Sequence, residues 1–256
     1  MRHVPRKRFG QNFLTDESVI AAIVAAIAPQ PQDLAVEIGP GLGALTRPLV
    51  EQLDHLHVIE IDRDIIARLH AEFTPTRVTV HEGDALRFDF SALGSRLRVI
   101  GNLPYNISTP LLFHLAQHAA AIHDLHVMLQ KEVVDRMVAA PSSSDYSRLS
   151  VMLQYRFDME RVLDVPPEAF QPAPKVDSAV VRLMPFARPP HPARDEGRFA
   201  TLVAAAFSQR RKTLRNALKG HFEATDFDEA GVDAGLRAQD LGVAEFVRLA
   251  DHVKPG

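Results

Sequence analysis

The first half of the chain is punctuated by short apolar runs: 34-LAVEI-38, 56-LHVIEI-61, 77-RVTV-80, 97-LRVI-100 and 125-LHVML-129. Between them lie helical patterns, 44-ALTRPLVEQL-53, 64-DIIARLHAEF-73, 109-TPLLFHLAQHAA-120 and 132-EVVDRMVAA-140. Buried strands joined through helices describe a mostly parallel sheet with helices on both faces, the α/β class. A further helix is expected ahead of the first strand. Thr15, Asp16 and Glu17 make its start, and Val19, Ile20, Ile23, Val24 and Ile27 make its apolar stripe. A basic opening followed by 19-VIAAIVAAIA-28 has the outline of a signal peptide, but that pattern would not place acids at 16 and 17, so the helix is preferred. Later, 149-LSVMLQYRF-157 and 178-SAVVRLM-184 read as a terminal pair of strands, antiparallel to the rest.

Composition then shifts. The stretch 185-PFARPPHPARDEG-197 holds four prolines in thirteen residues and reads as a linker. Beyond it, 198-RFATLVAAAF-207, 212-KTLRNALKGHF-222 and 243-VAEFVRLADHV-253 are helical, with no strand signal. The expected domains are therefore 1–185 and a small all-helical 186–256. The segment 141-PSSSDY-146 reads as a flexible loop.

The chain has no Cys, which excludes disulfides, Cys-ligated zinc, iron–sulfur clusters and Cys nucleophiles. No apolar run reaches the roughly 18 residues that span a membrane, so no membrane partner is expected; the expected location is the cytoplasm. Residues 1–11 carry four Arg or Lys and residues 209–219 carry five, both without an acid. Removing those nine positive charges from the net −3 leaves −12 on the remainder. Two basic patches on an acidic chain suit a local polyanion contact, with a solvated tail and helix face as the alternative.

The strand ends carry the chemistry. The first strand runs into 37-EIGPGLG-43, where glycines at 39, 41 and 43 let the backbone approach a ligand closely. Glu60 ends the second strand, 17 residues after Gly43, where a carboxylate can accept both hydroxyls of a ribose. The alternative, a cap for the next helix, suits Asp62 better. Asp84 follows the third strand and can accept from an adenine amino group. In open α/β sheets ligands bind at this edge. With no G-x-x-x-x-G-K-[ST] and no basic residue in the glycine turn, the pattern fits an adenosine without phosphates. That points to S-adenosylmethionine.

The fourth strand ends in 101-GNLPYNIS-108. An exocyclic amine on a base is a poor nucleophile, because its lone pair is delocalised into the ring. The Asn102 side-chain oxygen and the Leu103 carbonyl can accept its hydrogens and favour pyramidalisation. Pro104 restricts the turn, and Tyr105 offers a face for a flipped base. An ordinary turn would also use Asn and Pro.

With these segments, 8-RFGQNFL-14, 58-VIEIDRD-64, 129-LQKEV-133 and 165-VPPEAFQPAPKVDSAVVRL-183 make the chain resemble the ribosomal RNA adenine N6,N6-dimethyltransferases, in particular the small-subunit type. The resemblance covers most of the chain. It implies a Rossmann-like class I methyltransferase sheet, mostly parallel with an antiparallel terminal strand, and a small C-terminal all-helical domain. It implies S-adenosylmethionine-dependent dimethylation of two adjacent adenosines in the 3'-terminal hairpin loop of 16S rRNA, with the small ribosomal subunit as partner and a monomer as the working form. Asn12 and Leu14 would close over the cofactor, and Gly39, Glu60, Asp84 and Asn102 would complete its site. Asn102, Leu103, Pro104 and Tyr105 would hold the target base, with Phe170 stacked on its other side; the alternative for Phe170 is a buried loop aromatic. The basic 209-QRRKTLRN-216 matches the family's RNA-contacting helical domain.

Other functions compete. His114 and His118 have zinc-ligand spacing, but no Glu accompanies them and no metal is expected. A ribosome-assembly checkpoint remains open, although an intact Asn102 and Tyr105 argue for retained chemistry. The 165–180 segment argues against the large-subunit enzyme. About seventy helical residues are thin for a DNA-reading domain.

Overall fold

The computed structural model describes residues 12–220 and 224–252. The basic segment 1–11 and the ends of two C-terminal helical patterns lie outside the described residues. The order of elements begins β1 (Phe13–Leu14), α1 (Glu17–Ile27), β2 (Ala35–Ile38), α2 (Thr46–Gln52), β3 (Leu56–Glu60), α3 (Arg63–Glu72) and β4 (Val78–Glu82). It continues β5 (Leu97–Asn102), α4 (Ser108–Gln117), β6 (Ile122–Gln130), α5 (Lys131–Val138), α6 (Arg148–Gln154), β7 (Phe157–Val165), β8 (Phe170–Gln171) and β9 (Ser178–Pro185). Helices α7 (Glu196–Ser208), α8 (Leu214–Ala217), α9 (Ala224–Ala230) and α10 (Val243–His252) follow.

Chain contacts divide the protein into two compact units. One extends to Val134 and resumes over Met159–Pro185; the other takes Asp135–Asp158 and resumes at Phe186. The segment 135–158, which sequence assigned ahead of the linker, thus groups with the C-terminal helices.

In the first unit a seven-stranded sheet has the order β4-β3-β2-β5-β6-β9-β7, and β1 pairs with β8 in a separate ribbon. The pairs β2–β3, β2–β5, β3–β4 and β5–β6 are parallel, and β9 runs antiparallel to β6. All four residues of β2 are buried, as expected of a strand covered on both faces. Two helix starts in this unit are set by Asp residues. Asp16 caps α1 by accepting from the Ser18 and Val19 N–H groups at 2.9 and 3.1 Å, and Asp62 caps α3 by accepting from Asp64 N–H at 3.0 Å.

The expected strand at 149–157 is a correction. Residues 148–154 are helix α6, and the strand begins only at Phe157. Leu149 and Leu153 are spaced for one helix face and both are buried, while Ser147 and Ser150 make a capping box at the start. The true strand, 157-FDMERVLDV-165, buries only its two ends, so its polar middle hid it. Of the helix expected over 212–222, the described residues 212–220 hold only α8, Leu214–Ala217.

In the second unit, Phe199, Phe227, Phe246, Leu214 and Leu249 belong to one apolar core. The side chains of Arg210, Arg211, Lys212, Arg215 and Lys219 are exposed, and among the described residues none pairs with a carboxylate. Arg210 donates to the Ser144 carbonyl.

One guanidinium is largely enclosed in the first unit, at 11% side-chain exposure. Arg98 on β5 faces Asp124, its neighbour on β6. Its Nε and Nη2 donate to the two Asp124 carboxylate oxygens at 3.0 and 2.6 Å. Its Nη1 reaches Asp33 at 2.7 Å, and Nη2 also donates to the Ile27 carbonyl at the end of α1, at 2.7 Å. One guanidinium therefore ties two strands, a loop and a helix end. Asp124 is only 5% exposed, so removing Arg98 strands a buried carboxylate. Arg98→Met is expected to cost about 3–5 kcal/mol in urea unfolding; a loss below about 1 kcal/mol would show that solvent replaces the guanidinium.

Candidate functional site

The four motif segments converge on one cavity of about 290 Å³ at the carboxyl ends of β2, β3, β4 and β5. Strand order reverses here: from β2 the chain builds β3 and β4 on one side, then returns to place β5 on the other. Loops leaving neighbouring strands in opposite directions open a crevice between them.

Gly39, Gly41 and Gly43 have φ of +67°, +55° and +84°, a region that disfavours side chains. A Cβ at Gly41 would stand 3.0 Å from the Phe13 ring, so β1 packs directly onto the turn. At Gly101 the constraint is closeness instead: a Cβ there would lie 2.7 Å from the Ile38 carbonyl. Its absence lets the end of β5 approach the end of β2, bringing Asn102 beside the glycine turn.

Three carboxylates line the cavity. Glu60, at 7% exposure, accepts the Ile61 and Asp62 N–H groups on Oε1 at 2.7 and 2.8 Å. The two acids thus divide the labour, Asp62 capping α3 and Glu60 facing the cavity. Asp84 Oδ1 accepts from Leu86 N–H at 2.9 Å, which fixes the loop after β4. Glu37, at 2% exposure, accepts from Thr46 Oγ1 at 2.7 Å. Burial pushes the Glu37 carboxyl up to about 7, against the downward pull of the Thr46 hydrogen bond, and the Glu60 charge adds to the rise.

The Asn102–Tyr105 segment is pinned at each residue. Asn102 Nδ2 donates to the Asn12 carbonyl at 3.2 Å, leaving Oδ1 as the acceptor. Leu103 N–H donates to the Met128 carbonyl at 3.1 Å, and the Pro104 carbonyl accepts from Ile107 N–H at 3.1 Å. The Tyr105 hydroxyl lies 2.6 Å from Ser178 Oγ. Burial raises the Tyr105 phenol above its ordinary value.

Asn12, Leu14, Gly39, Glu60, Asp84, Asn102, Leu103, Pro104 and Tyr105 all line the cavity. Phe170 does not. It is 4% exposed, stands opposite Leu14 in the β1–β8 ribbon and belongs to the apolar core. His114 Nε2 turns to the Phe88 carbonyl at 2.8 Å, and His118 Nδ1 lies 3.6 Å from Asp89. Among the described residues no group of three or more His, Asp or Glu is placed to hold a metal ion.

Sequence reading passed over several contributors. Glu37 opens the glycine motif, and a lone acid in an apolar strand was its signal. Ile61 is 52% exposed at the cavity edge, an apolar residue between two acids. Ser178 left no local signal, standing 73 residues from Tyr105.

The chain matches the family model for ribosomal RNA adenine dimethylase over residues 2–254. It is 61% identical over 253 residues to the ribosomal RNA small subunit methyltransferase A of Chromobacterium violaceum, covering 98% of this chain and 97% of the relative. It is 63% identical to the protein of that name from Laribacter hongkongensis, again over 253 residues, 98% of this chain and 97% of the other. Among solved structures, a dimethyladenosine transferase from Plasmodium falciparum aligns with a TM-score of 0.77 at 26% identity, covering 93% of this chain and 95% of that one. The 23S rRNA methyltransferase ErmE aligns at 0.72, also at 26% identity, over 94% and 99%. The sheet and its helices thus have the class I methyltransferase form shared by these enzymes, and the chain belongs to the ribosomal RNA adenine dimethylase family.

Proposed function

We propose that the protein transfers methyl groups from S-adenosylmethionine to the N6 amino groups of two adjacent adenosines in the 3'-terminal hairpin loop of 16S rRNA. The observation that carries this is the meeting of the glycine turn, Glu60 and Asp84 with Asn102–Tyr105 in one cavity. Strong identity to small-subunit enzymes over nearly the whole chain supports the choice of RNA.

The lining suits the cofactor. Its described residues include three carboxylates and no Lys, Arg or His, which fits a cationic nucleoside and not a phosphorylated one. Glu60 would accept the ribose hydroxyls and Asp84 the adenine amino group, while Ile61 offers the ring an apolar wall. Asn12, Leu14 and the Gly39 turn would enclose the remainder. When bound, S-adenosylmethionine supplies a methyl group activated by a sulfonium.

The protein's own part is positioning. Asn102 Oδ1 and the Leu103 carbonyl accept the two hydrogens of the target amine and draw its nitrogen toward a pyramidal form. Tyr105 holds the extruded base by its face. The amine sheds its proton only after attack, so no strong base is required, and none is assigned. The exposed cations at 210–219 in the second unit suit RNA phosphates. Chemistry is thus assigned to the sheet and RNA contact to the helices, in a monomer working in the cytoplasm on the small subunit. No helix among the described residues is long and apolar enough to cross a membrane.

Incubation with labelled S-adenosylmethionine and small subunits lacking the modification should yield labelled dimethyladenosine. Asn102→Ala should reduce it at least about a hundredfold while the protein melts as before. Activity surviving that change would remove Asn102 from the reaction. Phe170 is kept as the partner for the opposite face of the base, which requires its ring to leave the core. Phe170→Leu should cost less than about 1.5 kcal/mol of stability but at least about tenfold in turnover. Unchanged turnover would leave Phe170 with packing alone.

Glu37 gives a pH test. Its folded value of about 7 lies above the ordinary 4.5, so ionising it penalises the fold. That penalty is absent below about 4.5, grows between the two values and is complete above 7. Glu37→Gln, whose carbonyl can still accept from Thr46, should therefore match the parent at pH 4 and exceed it at pH 8 by up to about 3 kcal/mol. Equal stability at both pH values in urea unfolding would refute the buried-charge account.

A further inference from the structure

Tyr105 is anchored at both ends, and one anchor lies far outside its motif. At the backbone, its carbonyl accepts from Ser108 Oγ at 3.1 Å. At the tip, its hydroxyl meets Ser178 Oγ at 2.6 Å. Ser178 is fully buried and is the first residue of β9. Its own position is fixed by the antiparallel ladder, where it stands opposite Gln130 of β6, and by Lys131 N–H donating to the Asp177 carbonyl at 2.9 Å.

The same strand β6 holds the acceptors for the target amine. Met128 is the register partner of Asn102, and its carbonyl takes the Leu103 N–H. Asn102 and Leu103 on one side and the Tyr105 hydroxyl on the other are therefore referenced to residues only two apart in β6. A phenol tethered at its tip cannot swing about its side-chain torsions. Tethering matters most for an aromatic that must present one face at a fixed height, because misplacing a reactant by about 1 Å can cost on the order of a hundredfold in rate. The bond also satisfies the Ser178 hydroxyl, which is buried and would otherwise lack this partner.

We infer that Ser178 is a positioning residue for methyl transfer, its hydroxyl fixing the plane of the Tyr105 ring on which the target adenine stacks. This rests on Tyr105 being the stacking face, as proposed above. It gives the antiparallel strand β9 a role in the chemistry as well as in the sheet.

The test compares Ser178→Ala, Tyr105→Phe, their double variant and Tyr105→Ala. Each is assayed for turnover on unmodified small subunits, for KM, for S-adenosylmethionine affinity by calorimetry and for melting temperature. Ser178→Ala and Tyr105→Phe should each lower kcat about tenfold, with cofactor affinity and KM for the subunit within about twofold of the parent. The double variant should be no worse than either single one, because both remove the same bond. A merely structural serine would instead lower melting temperature and cofactor affinity together. Should Ser178→Ala fail to fold, Tyr105→Phe decides alone, since it cuts the bond without touching β9. If Tyr105→Ala is inactive while Ser178→Ala and Tyr105→Phe turn over like the parent, the inference falls and the stacking role stands. If Tyr105→Ala is fully active, the stacking role itself is lost and this inference with it.

Discussion

Everything in the site depends on the reversal of strand order between β2 and β5. Neighbouring strands elsewhere in the parallel part send their loops over the same face, where they crowd each other. At the reversal they diverge, and the strand ends there can be furnished with polar groups. Gly101 makes the reversal tight. With a side chain there, the end of β5 could not close on the Ile38 carbonyl, and Asn102 would stand away from the glycine turn. Two backbone requirements, a left-handed turn after β2 and a bare position before Asn102, thus set the distance between the glycine turn and the Asn102–Tyr105 segment.

The electrostatics follow from what must be bound. A cavity whose described lining holds carboxylates and no cation is a poor host for phosphate and a good one for a cationic nucleoside. The cost appears at Glu37, held in the interior beside a second acid with its proton affinity raised. A purely structural strand would carry a Val there. The acid trades stability for a polar group in the cavity wall, as residues in functional sites commonly do.

The parallel sheet was legible because each buried strand is a compact apolar run and each crossover helix has its own period. The site was legible because its polar residues all fall just after those runs. Legibility failed where local pattern and tertiary role diverge. Residues 149–153 alternate in a way compatible with strand or helix, and only the Ser147–Ser150 cap decides for the helix. Strand β7 is polar through its middle because it lies at the sheet edge, so alternation never showed. Phe170 sits in a motif that suggests a ligand, and of the two readings open for it the structure has the buried aromatic, packed in the core with Leu14 opposite it in the ribbon. Ser178 was invisible for a different reason: its partner lies 73 residues away in sequence and across β6 in the sheet, and a serine opening a strand is unremarkable in itself.

Ile61 has a thermodynamic consequence. An aliphatic side chain half open to water at the mouth of a largely apolar cavity keeps a shell of solvent in contact with it. Covering that surface with a nucleoside releases the shell, and the heat capacity of the complex should fall below that of its separated parts. Calorimetric enthalpies of cofactor association would then grow more negative on warming. Occupancy would change far less with temperature than its heat does, because entropy moves in compensation.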